Sequence, residues 1–156
     1  MATLSAGLVL YRTAAHGDLQ VLLVHPGGPF WSRKDDGAWS IPKGEYVDGD
    51  DPQAVARREF AEELGAPPPA GTLLDLGEIR QAGGKRVRAF AVEGELDVAQ
   101  ITSNTFEMEW PPRSGQIEEF PEVDRAAWFD LDTARTKVLA GQRPLLDTLA
   151  TLLSET

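Results

Sequence analysis

Glu59, Glu62 and Glu63 are spaced i, i+3, i+4, and on a helix that spacing turns three carboxylates toward one face. Like charges so placed repel by roughly 0.2–0.5 kcal/mol per helical pair. Arg57 and Arg58, immediately before Glu59, offset only part of this. A hard divalent cation such as Mg2+ takes oxygen ligands of this kind and would turn the repulsion into coordination. The competing reading is a solvated acidic helix face, and the glutamates alone do not separate the two.

The element that carries them is well bounded. Asp51 offers an N-cap side chain, and Pro52 supplies a first helical residue whose missing N–H costs nothing. Gly65 is a stop, followed by the Pro67–Pro69 run that cannot continue a helix. Between them Ala56, Phe60 and Leu64 recur at i, i+4, i+8 as one apolar stripe beside the glutamate face.

Read as a whole, residues 44–66 resemble the Nudix box, whose pattern is G-x5-E-x7-R-E-U-x-E-E-x-G-U with U apolar. Gly44, Arg58-Glu59, Phe60, Glu62-Glu63, Gly65 and Ala66 all fall in place, and Asp50 stands where the family has Glu, one methylene shorter. The lead-in Trp39-Ser40-Ile41-Pro42-Lys43 and the segment from Glu122-Val123 to Trp128-Phe129 also look like the family, so the likeness spans most of the chain. It implies an α+β Nudix fold, an α/β/α sandwich around a mixed sheet, as one domain over residues 1–156. It also implies Mg2+, with Mn2+ as a substitute, held by Glu59, Glu62, Glu63 and the Gly44 carbonyl.

The chain order agrees with that expectation. Residues 4–11 and Leu19–His25 read as apolar strands joined by a Gly17-Asp18 turn. Residues 26–37 form a Pro- and Gly-rich loop, 38–41 a short strand, and 44–51 a loop ahead of the helix. Residues 73–81 and 85–93 make a second hairpin through Ala82-Gly83-Gly84, with Arg86, Arg88 and Phe90 on one basic, partly aromatic face. A strand at 105–110, another at 126–131, and helices at 132–140 and 144–154 complete the reading, with no repeat or linker.

Composition bounds the rest. A chain of 156 residues is expected to be one domain that needs no staples, and it contains no cysteine for disulfides or thiolate metal sites. The N-terminus lacks a basic, apolar leader, and no run reaches the ~18 apolar residues of a membrane span. A cytoplasmic protein is therefore expected. The net charge of −10 argues against a nucleic-acid or anionic-membrane surface. A small-molecule polyphosphate would have to enter through metal ions and a local basic lining.

Several further residues have a use in such chemistry. Lys43, before the motif glycine, is placed to contact a phosphate, against the alternative of a solvent-facing lysine. Family likeness implies one more acidic metal ligand from a later loop; Glu122 aligns best, with Glu118 and Glu119 as competitors. Arg86, Arg88 and Arg113 are candidate phosphate or base contacts, although for each alone solvated surface is the stronger reading. Phe30, Trp31 and Trp110 could stack a base or simply cover a core edge. His25, at a strand end, reads as a packed or surface histidine. For the reaction itself, water attacks phosphorus in line, with Glu59, oriented by Arg58, as first choice of base and Glu122 or Glu119 as alternatives.

Pro-Lys-Gly together with Gly84-Lys85-Arg86-Val87-Arg88 looks most like the Nudix branches that take nucleoside or dinucleoside polyphosphates. ADP-ribose or other nucleoside-diphosphate-X hydrolysis is an alternative, although that ADP-ribose branch usually carries an extra N-terminal dimerisation region. The isomerase branch uses a cysteine this chain lacks, and decapping enzymes carry basic RNA surfaces. A non-catalytic nucleotide sensor on the same fold is the rival from another class; such domains typically lose helix glutamates, and here all three remain.

Overall fold

In the computed structural model, which describes residues 3–155, the chain is organised on one strand. That strand, β1 (Leu4–Thr13), is apolar without alternation because both of its faces are covered. Ala6, Leu8 and Leu10 enter one core cluster and Val9 the other, all with no exposed surface. The second strand, β2 (Leu19–Pro26), returns antiparallel to it, with Tyr11 opposite Val21 and Thr13 opposite Leu19. The short β3 (Lys43–Tyr46) pairs with the beginning of β1, Gly44 opposite Ala6.

The helix α1 (Pro52–Leu64) follows the expected signals at both ends. Asp51 accepts a hydrogen bond from the Gln53 N–H at 3.1 Å. Gly65 adopts φ 76°, a left-handed conformation open to glycine without a Cβ penalty. Val55, Ala56, Phe60 and Leu64 are buried against Leu8, Leu10, Leu22 and Phe90 on one face of the sheet.

The other half of the chain completes the layers. β4 (Leu74–Arg80) and β5 (Arg86–Glu93) form a hairpin through a short 3-10 turn, and β5 runs parallel to β1. β6 (Thr105–Glu109) and β7 (Ile117–Pro121) make a separate two-stranded ribbon. β8 (Val123–Asp130) pairs antiparallel with β2, giving the order β4-β5-β1-β2-β8, with β3 on the β1 edge. On the face opposite α1 lie α2 (Leu131–Lys137) and α3 (Arg143–Ser154), whose Leu145, Leu146 and Leu149 pack against Val9, Val21, Leu23 and Val87. The result is the expected α/β/α sandwich on a mixed sheet. No helix among the described residues is long and apolar enough to cross a membrane.

Three local expectations are corrected. Residues 38–41 do not form a strand: Trp39 and Ser40 make isolated bridges to Val138 and Val24, and regular pairing begins only after Pro42, which has no N–H to give. The strand β7 is missing from the sequence reading, because its residues carry three polar or proline positions in five and no apolar alternation. On β5, Arg86, Arg88 and Phe90 do share a face, yet it is basic only at the strand's start, since Phe90 is core.

Candidate active site

Pairing of β3 with β1 lays the backbone of Gly44 directly under α1. A Cβ built on Gly44 would overlap the carboxylate carbon and Oε2 of Glu59, so only a bare backbone admits that side chain. Arg58 Nη2 lies 3.5 Å from Glu59 Oε1, and its Nε lies 4.0 Å from Glu62 Oε1. The guanidinium thus divides itself between two carboxylates rather than clasping Glu59 with both arms. Arg57 takes no part in the relief expected of it: it donates to the carbonyls of Pro69 at 3.2 Å and Gly71 at 2.5 Å.

Glu63 is the most enclosed of the three glutamates. It accepts from the Lys43 backbone N–H, while its Oε2 is buried with no hydrogen-bond partner among the described residues. Burial first, and then the neighbouring Glu59, push its carboxyl up to about 8; Glu122 adds to this and Lys43 opposes it. Glu59 is raised for the same leading reason, followed by repulsion from Glu62, with Arg58 opposing. The Lys43 ammonium is held below its ordinary value by burial and then by Lys85, against the pull of Glu63, Glu45 and Glu59. Acid and base are both displaced toward their neutral forms, so desolvation here outweighs their mutual attraction.

Glu122 joins this group from the junction of β7 and β8. Its N–H donates to the Asn104 carbonyl at 2.8 Å and its carbonyl accepts from Gly27 at 2.9 Å. With Lys43 and Glu63 it lines a cavity of about 200 Å3. The competitors fall elsewhere: Glu119 stands opposite Glu107, and Glu118 opposite Met108, on the β6–β7 ribbon.

The carboxylates converge without closing. Among the described residues, the group of three whose ligand atoms all lie within 4.8 Å of one another is instead His16, Asp18 and Asp130, exposed at the far end of the β1–β2 hairpin. Unscreened like charges spread, and each helix glutamate has a separate neighbour: Glu59 the Gly44 backbone, Glu62 Arg58, Glu63 Lys43. An orphaned buried oxygen on Glu63, the Glu59 carboxylate laid against the bare Gly44 backbone and an all-oxygen donor set nevertheless fit a hard cation such as Mg2+ or Mn2+.

The arginines do not reach the cleft. Arg88 grips Asp75 through Nε–Oδ1 at 3.2 Å and Nη2–Oδ2 at 2.5 Å. Arg86 lies 3.8 Å from Glu78 and lines another cavity, beside Tyr46 and Val47. Arg113 occupies the tip of the β6–β7 ribbon, its N–H donating to Glu109. The cation that sequence reasoning passed over is Lys85, whose charge bears on Lys43. Strand parity held the signal: Lys85 alternates with Arg86 and so takes the face that Val87 and Ala89 bury on the α3 side. Asp50 folds its loop onto itself, accepting from the Val47 N–H at 3.3 Å. His25 is fully packed, with Nδ1 2.9 Å from Asp124 and Nε2 2.6 Å from the Lys34 carbonyl. Phe30 and Trp31 line a larger cavity with Phe106, Met108 and Glu122, and Trp110 packs edge-on against Phe30.

The model of the NUDIX domain matches residues 1–149. No curated protein sequence matches the chain. Among solved structures, an Ap4A hydrolase binary complex from C. elegans is similar at 22% identity and TM-score 0.67, covering 97% of this chain and 99% of the other. The NUDIX domain of Shewanella oneidensis NrtR, complexed with ADP ribose, is similar at 20% identity and TM-score 0.65, covering 98% and 89%. A mutT/nudix family protein from Listeria innocua is similar at 16% identity and TM-score 0.62, covering 98% and 94%. At these identities the structural likeness speaks for the fold.

Proposed function

This chain belongs to the Nudix family and is a hydrolase of phosphorus-containing anhydrides, and on that premise we propose that it is a metal-dependent pyrophosphohydrolase of nucleoside or dinucleoside polyphosphates. The observation that carries the reading is the convergence of Glu63 and Glu122 with Lys43 on one cleft, while Glu59, seated against the bare Gly44 backbone, bears on Glu63. Glu62, Glu63, Glu122 and the Gly44 carbonyl would hold Mg2+ or Mn2+, with Glu59 at their edge. Bound there, the cation supplies charge neutralisation for the phosphate oxygens and acidifies a water.

The chain's own groups divide the remaining work. Lys43, deep in the cleft, presents one positive charge to a non-bridging phosphate oxygen. Glu59, wedged between Gly44 and Arg58, accepts the proton of the attacking water as its oxygen bonds to phosphorus and the bridging P–O bond breaks. Arg58, spanning Glu59 and Glu62, keeps both side chains on the same side of α1. The reading draws support from the Ap4A hydrolase likeness, while the ADP ribose complex keeps nucleoside-diphosphate-X compounds among the substrates to be assayed.

The test is product analysis over a nucleotide panel with Mg2+. Wild-type protein is expected to release nucleotide products, and Glu62→Gln and Glu63→Gln to lose several orders of magnitude in turnover with their folds intact. Near-native turnover in both variants would refute the assignment. Micromolar nucleotide binding without any turnover would make the chain a sensor instead.

A further inference from the structure

At the end of the sheet where β3 stops and β1 and β5 begin, a cavity of about 660 Å3 opens. It shares no lining residue with the cavity of Lys43, Glu63 and Glu122. Its floor is a row across three strands: Leu4 on β1 lies opposite Tyr46 on β3 and Arg86 on β5. Residues so paired project from one face of the sheet, here the α1 side, because Ala6, two residues along β1, is in the core beneath α1. The row runs from a phenol ring through an aliphatic side chain to a guanidinium. Val47, 69% exposed, adds apolar surface at the rim.

Two charges border this floor, and neither is spent on the other. Arg86 Nε is buried and has no hydrogen-bond partner among the described residues; Glu78 Oε1, at 3.8 Å, is beyond that reach. A buried donor left unsatisfied is costly, and an oxygen brought to it removes that cost. Asp48, just past the end of β3, spends its carboxylate on no described residue. Glu45 also borders the cavity, but alternation turns its side chain to the opposite face, where its charge bears on Lys43.

The lining decides between ligand classes. A plain anion would answer Arg86 but face Asp48 across the floor, and a plain cation would do the reverse. A molecule carrying both charges answers both, since β3 and β5, with β1 between them, stand roughly 10 Å apart. The volume lies within the roughly 300–1,000 Å3 of small-molecule sites, and Tyr46, Leu4 and Val47 accept an apolar body. We infer that this cavity binds a small zwitterion with an apolar body, its carboxylate on Arg86 Nε and its ammonium toward Asp48. That is the chemistry of a free apolar amino acid or of a dipeptide of such residues.

The test is calorimetric titration of the full chain, in EDTA, with L-phenylalanine and with its dipeptide. At least one of them is expected to bind, and the tighter of the two identifies the source. Acetylating its amine or amidating its carboxylate should each weaken binding about tenfold or more, the worth of one charge-assisted hydrogen bond. In Arg86→Gln amidation should no longer matter, and in Asp48→Asn acetylation should no longer matter, both variants being checked for an unchanged melting temperature. Glu63→Gln should bind as wild type does. The blocked ligands decide the matter on the wild-type chain alone should a variant not fold. Heat from neither ligand, blocked forms that bind as tightly as the free ones, affinity undiminished in both Arg86→Gln and Asp48→Asn, or binding abolished in Glu63→Gln overturns the inference.

Discussion

Gly44 contributes an absence. Its missing side chain is the space that the Glu59 carboxylate occupies. Gly44→Ala therefore has two penalties, displacement of Glu59 and a shift between β3 and α1. Overpacking of this kind costs typically 1–3 kcal/mol, and turnover should fall at least tenfold because Glu59 leaves its position. A urea titration and a turnover assay on the same preparation check both halves. A variant of wild-type stability and activity would show that Glu59 has somewhere else to go. The neighbouring Asp50 illustrates what a motif conveys and what it does not. Its spacing marks the loop correctly, but the shorter side chain is spent on the Val47 N–H, a contact no pattern of letters specifies.

At the scale of elements, α1 was legible because its signals are local: a capping aspartate, a proline at the first turn, a glycine at the end. The apolar stripe of Phe60 and Leu64 named its buried face as well. Pairing partners are not local, and there the reading weakened. β3 begins where Gly7, far away in sequence, lies opposite Lys43, and β7 exists because β6 is beside it. Arg88 shows the same limit, for its charge looked available until β4 placed Asp75 beside it. That pair makes an acid-dependent contribution to the sheet. The Arg88 guanidinium, above all, holds the Asp75 carboxyl below its ordinary value, so the folded chain binds that proton less readily than the unfolded one. The contribution is complete above the unfolded-chain value and drains away as pH falls below it. With the two side chains 38% and 49% exposed, solvent screening limits it to under about 1 kcal/mol. Asp75→Asn should be less stable than wild type by that amount near neutrality and equal to it in strong acid. Denaturant midpoints measured across the acid range decide the matter, and a gap independent of pH would assign the effect to packing.

For the molecule as a whole, the dominant electrostatic fact is a net charge of −10, with Glu63 lacking a hydrogen-bond partner for one buried oxygen among the described residues. In EDTA, added NaCl should raise the melting temperature by screening that self-repulsion. Mg2+ at matched ionic strength should raise it further, adding as much as about 2.7 kcal/mol of stability at a hundredfold excess over Kd. Above about pH 8, where Glu63 is charged, Glu63→Gln should start higher in EDTA, having shed a desolvated charge, and lose the Mg2+ increment. Equal increments in the two proteins would take Glu63 out of the ligand set.

One edge of β1 is shared between two partners, β3 alongside residues 4–7 and β2 alongside residues 11–13. Like a forked branch, the sheet parts at that edge, and residues 27–37 span the prongs while Lys43 and Gly44 sit near the crotch. Changes in that span that keep the bonds of Gly27 to Glu122 and of Lys34 to His25 need not disturb the fork itself. Grafting a different bridge between the prongs is thus a route by which this scaffold could be retargeted to new leaving groups while its bond-breaking equipment stays where it is.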